Sequence, residues 1–146
     1  LAERFAAFRG QTPAFEKLYR FYEAFARLMA AKCRWRENLP ALRAETAEQG
    51  IALAQDCRAE IARCRLAWEA LWEQVNKPFG YEIIDLRLSG LDGRYETTLR
   101  KLERLRGGDT AVLALVREEK LRALSDEEGR FYGIGAWSDC VSACKI

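Results

Sequence analysis

The residues of this chain whose types and spacing could do chemistry are its adjacent carboxylates and its cysteines, and the sequence contains no histidine. The usual general base and the commonest transition-metal ligand are therefore missing, which excludes serine-histidine and cysteine-histidine catalysis. Asp126, Glu127 and Glu128 are adjacent carboxylates of the kind that glycosidases use. Acid catalysis, however, needs a carboxyl group whose pKa is raised by a closed apolar site. Because these acids lie in a polar segment before Gly129, we expect them to be solvated and predict no catalytic residue.

The five cysteines are an odd number without a C-x-x-C spacing, which fits neither a zinc ribbon nor a small disulfide scaffold. Cys57 and Cys64 fall on the apolar face of a predicted helix, where cysteine behaves as a small apolar residue. Cys140 and Cys144 would share one face of a helix, which permits a metal or redox pair, but no third ligand is evident. We therefore expect reduced thiols, a cytoplasmic protein, no metal and no cofactor.

The segment from Trp72 to Arg87 joins two predicted long helices and gathers several charged residues around the start of the second. It reads W-E-Q-V-N-K-P-F-G-Y-E-I-I-D-L-R, in which proline and glycine predict a tight turn between two helices. The acids after the turn stabilise the start of the following helix. Two further roles stay open for these charges, an ion-pair network that fixes the turn and docking of another domain. The candidate docking and interface residues are Trp72, Asn76, Lys77, Phe79, Glu82, Asp85, Arg87 and Arg94.

Apolar residues recur at steps of three and four along most of the chain, the period of amphipathic helices. Gly90 and Gly93 interrupt one such stretch, and their cost in helix propensity predicts the close approach of another backbone. The predicted order is a long helix from Thr12-Pro13 to about Arg36, a short one from Asn38 to Gly50, a third to Asn76, a fourth from Phe79 to Gly107-Gly108, and a fifth capped by Asp109 or Thr110.

The predicted fold class is all-α. At about 1.5 Å per residue the three long helices each span roughly 35 to 40 Å, and short connections between helices of matched length predict an up-and-down bundle. We expect about five helices, three of them long, followed by an irregular C-terminal tail from Arg130 to Ile146. A chain of 146 residues buries one core, so residues 1–146 are predicted to form a single helical domain.

The composition limits the partners of this domain. Lysine and arginine number 24 against 22 acids, and the net charge of +2 gives no large field for attracting nucleic acid. No apolar run approaches the roughly 20 residues that cross a bilayer. We therefore predict neither a nucleic-acid nor a membrane partner. Because the chain begins at Leu1 without an initiator methionine and already in helical spacing, we expect it to be a piece of a longer polypeptide.

Two other clusters of residues, one aromatic and one basic, are predicted to have structural roles. The first long helix carries five crowded aromatic residues that resemble a stacking platform, but most share its apolar face and are predicted to be core. Basic residues near the end of the fourth helix favour its dipole, so we interpret them as a solvated face. The aromatic residues are Phe15, Tyr19, Phe21, Tyr22 and Phe25, and the basic ones are Arg100, Lys101, Arg104 and Arg106.

With these residues in view, the chain resembles the C-terminal helical domain of bacterial exo-acting β-N-acetylhexosaminidases of glycoside hydrolase family 20. The resemblance extends over nearly the whole chain, and its N-K-P-F-G turn followed by E-x-x-D-x-R is fairly specific. The family usually has a second glycine where Ser89 stands. The matching residues are Thr12-Pro13, Phe15, Leu18-Tyr19, Trp72, Asn76-Lys77-Pro78-Phe79-Gly80, Glu82, Asp85, Arg87, Gly90-Leu91, Arg94, Trp137 and Val141-Ser142-Ala143.

The resemblance implies that an upstream barrel domain removes terminal N-acetylhexosamine residues from glycans. In the family the substrate's acetamido oxygen attacks the anomeric carbon, assisted by an aspartate-glutamate pair that follows a histidine and two glycines. Asp126-Glu127 lacks that context, so no catalytic residue is assigned. The implied role is a non-catalytic domain that docks on the barrel or takes part in a homodimer. A second hypothesis is a free-standing helical adaptor that binds a partner helix between its own helices.

Overall fold

The described part of the chain is entirely helical in its regular elements. The computed structural model describes residues 1–77 and 79–117, without the side chain of Val75. Five α-helices, three of them long, confirm the predicted all-α class, while the expected tail from 130 to 146 lies outside the described residues. The helices are α1 Ala2–Phe8, α2 Glu16–Asn38, α3 Ala47–Val75, α4 Glu82–Arg106 and α5 Leu113–Arg117, with 3₁₀ turns at Pro13–Phe15, Leu39–Ala41, Ala44–Thr46 and Thr110–Val112.

The long helix α3 is the centre of the bundle, with α2 and α4 packed along it. Contacts near the two ends of α2 show that α2 and α3 are antiparallel. Phe21, early in α2, lies 5.3 Å from Trp68, late in α3, between ring centroids, whereas Arg34, late in α2, pairs with Asp56, early in α3. Because α3 and α4 are also joined by a short turn, α2 and α4 run parallel on either side of α3.

The core follows the predicted apolar seams through the middle of each long helix. On α3, Ala54, Cys57, Ile61 and Cys64 are fully or almost fully buried. Each large aliphatic side chain buried in this way contributes roughly 1.5–3 kcal/mol. The seams open at one end of the bundle, where side chains from the same periodic patterns are partly in solvent. Buried residues of α2 and α4 are Ala24, Leu28, Ala31, Trp35, Leu88, Leu91, Tyr95, Leu102 and Leu105, and the exposed ones are Phe15, Tyr22 and Ile84.

The prediction of a short second helix from Asn38 to Gly50 is wrong. Two 3₁₀ turns stand there, separated by the extended backbone of Leu42 and Arg43. α3 begins at Ala47, so Gly50 lies in its first turns and not at a helix end. A Cβ atom on Gly50 would stand 2.9 Å from Cδ1 of Leu42 and 3.2 Å from Cδ2 of Leu102. Glycine therefore allows these two buried leucines to pack against the backbone of α3.

The limits of α4 also differ from the prediction at one end. The helix begins at Glu82 and not at Phe79. Beyond its other end, Gly108 has φ +96°. The Asp109 carboxylate accepts a hydrogen bond from the Ala111 N–H at 3.2 Å and caps the 3₁₀ turn Thr110–Val112 that leads into α5, so of the two predicted caps Asp109 is the one observed. No close backbone explains Gly93, because a Cβ atom there would meet nothing within 4 Å.

No helix among the described residues is both long and apolar enough to span a bilayer.

Candidate docking surface at the α3–α4 turn

Two tryptophans near the end of α3 hold the turn that leads into α4. The Trp72 indole N–H donates to the Lys77 carbonyl at 2.8 Å, and the Trp68 indole N–H donates to the Tyr81 carbonyl at 3.2 Å. The two rings lie 5.4 Å apart between centroids. Asn76 ends the helix in extended conformation, and its backbone N–H donates to the Trp72 carbonyl at 2.9 Å. These three hydrogen bonds attach Asn76, Lys77 and Tyr81 to the last turns of α3.

Gly80 occupies a position of this turn that needs glycine. Its φ is +103°, and a Cβ atom would lie 3.1 Å from Cζ2 of Trp72, so both backbone conformation and space disfavour any other residue. The Gly80 N–H donates to the Glu82 carboxylate at 2.8 Å. Glu82 therefore bonds the turn backbone just before its own helix.

Asp85 in the first turn of α4 is bound to Arg65 of α3. The Arg65 Nε–H donates to Oδ1 of Asp85 at 2.6 Å and the Nη2–H donates to Oδ2 at 2.9 Å, a paired arrangement that is stronger than a single neutral hydrogen bond. The hydrogen bond from Arg65 lowers the pKa of Asp85, and a hydrogen bond from Ser89 adds to this effect. The same bond raises the pKa of Arg65. Asp85 is thereby committed to holding α3 against α4.

The charged residues around the turn have different surroundings in the described part of the chain. Glu82 bonds to the backbone of Gly80 and Asp85 to Arg65, while Lys77 and Arg87 are exposed. Arg65, the partner that completes the pair, was not among the predicted site residues. Arg94 lies away from the turn, in a groove between α2 and α4 that Lys32 also lines.

The outward face of α4 carries an apolar surface that the sequence analysis missed in part. Phe79, Ile83 and Leu86 are 82%, 62% and 70% exposed. Ile83, Leu86, Gly90 and Gly93 recur at steps of three and four, which places them on one face of α4, opposite the buried seam. We call Phe79, Ile83, Leu86, Gly90 and Gly93 the turn surface. Exposed patches of large apolar side chains occur at protein–protein contacts, at membrane contacts and in ligand-binding grooves.

The three described cysteines differ in their burial. Burial raises the pKa of Cys57, and it raises the pKa of Cys64 to about 11, so both thiols stay protonated and pack as apolar groups. Cys33 is exposed. Across residues 1–77 and 79–117 no group of three or more cysteine and acidic side chains is arranged to hold a metal ion. Cys140, Cys144 and the acidic run at 126–128 lie outside the described residues.

A family model described as the Glycoside Hydrolase 20C C-terminal domain matches residues 1–132. The chain belongs to this family. The resemblance stated from the sequence is thereby confirmed for the family, and the match includes the whole turn surface and the acidic run at 126–128. Searches of curated proteins and of solved structures return no significant match. A glycoside hydrolase 20C C-terminal domain implies a catalytic domain in the same protein.

Proposed function

We propose that this glycoside hydrolase 20C C-terminal domain docks through the turn surface on the catalytic domain of a β-N-acetylhexosaminidase and stabilises it. The observation that carries the proposal is the exposure of Phe79 in the turn and of Ile83 and Leu86 at the start of α4. Their removal from water contributes about 25 cal/mol for each Å² of apolar surface buried. The described domain itself does no chemistry in this account.

The turn surface is presented on a backbone that is already ordered. Trp72, Trp68 and the Arg65–Asp85 pair bind the turn and the start of α4 to α3. A surface that is fixed before contact loses less conformational entropy on docking, so more of the gain from burial remains as binding free energy. The buried contacts around the turn therefore act as supports for the docking residues.

Charged side chains border the apolar centre of this surface. Lys77 precedes it, Glu82 stands between Phe79 and Ile83, and Arg87 follows Leu86, and all three are exposed. An apolar centre with a polar rim is the usual arrangement of a protein–protein contact. We propose that the rim sets the orientation of the two domains, while the apolar side chains supply most of the affinity.

Substitutions that place charge in the turn surface test the proposal in the complete enzyme. Ile83→Glu with Leu86→Glu should separate the thermal unfolding of this domain from that of the catalytic domain and shorten the half-life of glycosidase activity at elevated temperature. The matched control is Leu115→Glu, because Leu115 is 59% exposed but lies on α5, at the other end of α4. Calorimetry and residual activity after heating provide the two readouts.

The rival roles give different results in the same experiment. If the turn surface joins two copies of the enzyme, the double variant changes the molar mass in light scattering from dimer to monomer and leaves the domain unfolding coupled. If the chain is a free-standing adaptor for a partner helix, the gene encodes no catalytic domain and no glycosidase activity is present to lose. An unchanged calorimetric profile and activity half-life would overturn the docking role.

A further inference from the structure

A groove between α2 and α3 has a floor of small side chains. Ala24 of α2 and Ala67 and Ala70 of α3 line it, and because methyl groups are short, space remains between the two helices there. The volume of the groove is about 480 Å³, within the roughly 300–1,000 Å³ of small-molecule sites. Leu66, which is 68% exposed, adds an apolar edge. We call the space between these four residues and Arg9, Lys17, Arg20, Glu23, Arg27 and Arg63 the α2–α3 groove.

The walls of the α2–α3 groove carry an excess of positive charge. Five of its described lining residues are cations, and one, Glu23, is an acid. Two of these cations pair with acids outside the lining, Arg20 with Glu16 and Arg63 with Glu60. Counted over the lining residues and these paired acids, five positive charges face three negative ones, so a net charge of +2 remains at the groove.

Glu23 is shared by two arginines of the groove. Nη1 of Arg9 lies 3.2 Å from Oε2 of Glu23, while Nε and Nη2 of Arg27 donate to Oε1 at 3.1 and 3.0 Å. One carboxylate balances the charge of only one of these two guanidinium groups. Because the side chain of Glu23 is only 12% exposed, it holds both arginines at the wall of the groove. A ligand therefore meets cations that are already positioned, which reduces the entropy lost on binding.

A phosphate monoester matches this charge and shape better than other small anions do. It carries about −1.5 to −2 charges at pH 7 on three acceptor oxygens, which offsets the excess of the groove. A carboxylate or a sulfate ester carries one negative charge and leaves about half of that excess. Guanidinium groups also bind phosphate oxygens through paired hydrogen bonds. The apolar floor, in turn, offers contact surface to a carbon body attached to the phosphate.

We propose that the α2–α3 groove binds a small organic phosphate monoester. Its phosphate group lies among Arg9, Lys17 and Arg27, and its carbon body lies on Leu66 and Ala67. No residue of the turn surface takes part, so this inference does not depend on the docking role.

Isothermal titration calorimetry of the full chain with phenyl phosphate tests the proposal, at low ionic strength because salt screens exposed charges. We expect saturable binding at one site per chain. Phenyl sulfate has nearly the same shape and one charge fewer, so it should bind several times more weakly, and phenol should not bind. Equal affinities for phenyl phosphate and phenyl sulfate, or no saturable binding of phenyl phosphate, would overturn the proposal.

Charge removal locates the phosphate group. Arg9→Gln with Lys17→Gln removes two positive charges and keeps the pair of Arg27 with Glu23, so the affinity for phenyl phosphate should fall about tenfold. The matched control is Arg100→Gln with Lys101→Gln, which makes the same change of charge on α4, where Arg100 pairs with Glu96. This control should lower the affinity less than about twofold. An equal loss in both double variants would contradict binding in the groove.

Leu66→Ala locates the carbon body. It should weaken phenyl phosphate about threefold, because roughly 25 Å² of apolar contact is lost, and leave the affinity for inorganic phosphate unchanged. Leu115→Ala is the control, since Leu115 is 59% exposed on α5 and should affect neither affinity. Circular dichroism checks that each variant keeps its helices. Binding of polyglutamate or of phosphatidic acid vesicles by a chain that does not bind phenyl phosphate would replace the proposed ligand with an acidic protein or a membrane.

Discussion

Arg65 of α3 and Asp85 of α4 are joined by two hydrogen bonds of 2.6 and 2.9 Å, and the same arrangement is repeated one heptad away. Arg58, seven residues before Arg65, donates to both oxygens of Asp92, seven residues after Asp85, at 2.7 and 3.0 Å. Because both arginines lie on α3 and both aspartates lie on α4, moving one helix along the other by one turn would separate both pairs. These two pairs specify the antiparallel register that places the turn surface at the end of the bundle.

Asp85→Asn is expected to lower the free energy of unfolding by about 1 kcal/mol at neutral pH, as for a charge-assisted pair that is partly exposed. Chemical denaturation of the full chain measures this change. Arg65→Met should cost a similar amount, and the double variant should cost less than the sum of the two, since the second change removes no further pair. Strict additivity would show that the two side chains do not interact.

The contribution of Asp85 should depend on pH in a defined direction. Arg65 holds the pKa of Asp85 in the folded protein below its ordinary value, so the stabilisation is present above the unfolded pKa of about 3.9 and is lost as the pH falls through the folded pKa. The difference in unfolding free energy between the native chain and Asp85→Asn should therefore be constant from about pH 5 to 7 and shrink below about pH 4. A difference that grows on acidification would contradict the assignment.

Gly80→Ala is expected to destabilise the domain by about 1–2 kcal/mol, because alanine strains the backbone at positive φ and its Cβ atom would press on Trp72. Gly93→Ala is the matched control. It lies inside α4 with nothing within 4 Å of its Cβ position, so the higher helix propensity of alanine should stabilise the domain by about 0.5–1 kcal/mol. Thermal melts of the two variants should therefore shift in opposite directions; shifts of the same sign would refute the proposed geometry of the turn.

Thiol labelling should distinguish the three described cysteines. Cys33 is exposed, whereas Cys57 and Cys64 are buried with a raised pKa, about 11 for Cys64. Since the thiolate is the reactive form, iodoacetamide at pH 8 should modify Cys33 at least about tenfold faster than the buried pair. Mass spectrometry of tryptic peptides measures each site separately. Rapid modification of Cys64 in the folded chain would contradict its place in the core.

The fold was predictable from the sequence wherever the residues that determine a feature lie close together along one helix. Steps of three and four along the chain are enough to identify the buried faces, and a polar residue after two glycines is enough to identify the cap at Asp109. The turn between α2 and α3 was mispredicted because Gly50 was interpreted from its immediate neighbours in sequence, whereas its role depends on Leu42 in the preceding loop and on Leu102 of α4. Tertiary contacts of this kind leave no local pattern.

The candidate site was predictable only in part, because some of its residues meet only through tertiary contacts between helices. Asp85 was identified, but its partner Arg65 lies 20 residues earlier on another helix. A usable signal existed in the equal spacing of seven residues between Arg58 and Arg65 and between Asp85 and Asp92, which an antiparallel pairing of α3 with α4 brings into contact. Ile83 and Leu86 were not predicted as site residues. Exposed apolar residues on a helix can be recognised only when the structure shows which face of that helix is buried.

Hydroxyl-radical footprinting of the complete enzyme tests the docking role most directly, because the oxidation rate of a side chain, divided by the intrinsic reactivity of its residue type, follows its exposure to solvent. All rates below are normalised in this way. The reference is the same enzyme carrying Ile83→Glu, which keeps Phe79 and Leu86 as reporters, with exposed Leu115 as the internal standard. We predict that Phe79 and Leu86 are oxidised several times more slowly than Leu115 in the native enzyme and regain reactivity in the variant. Oxidation of Phe79 and Leu86 in the native enzyme at the rate of Leu115 would contradict the account.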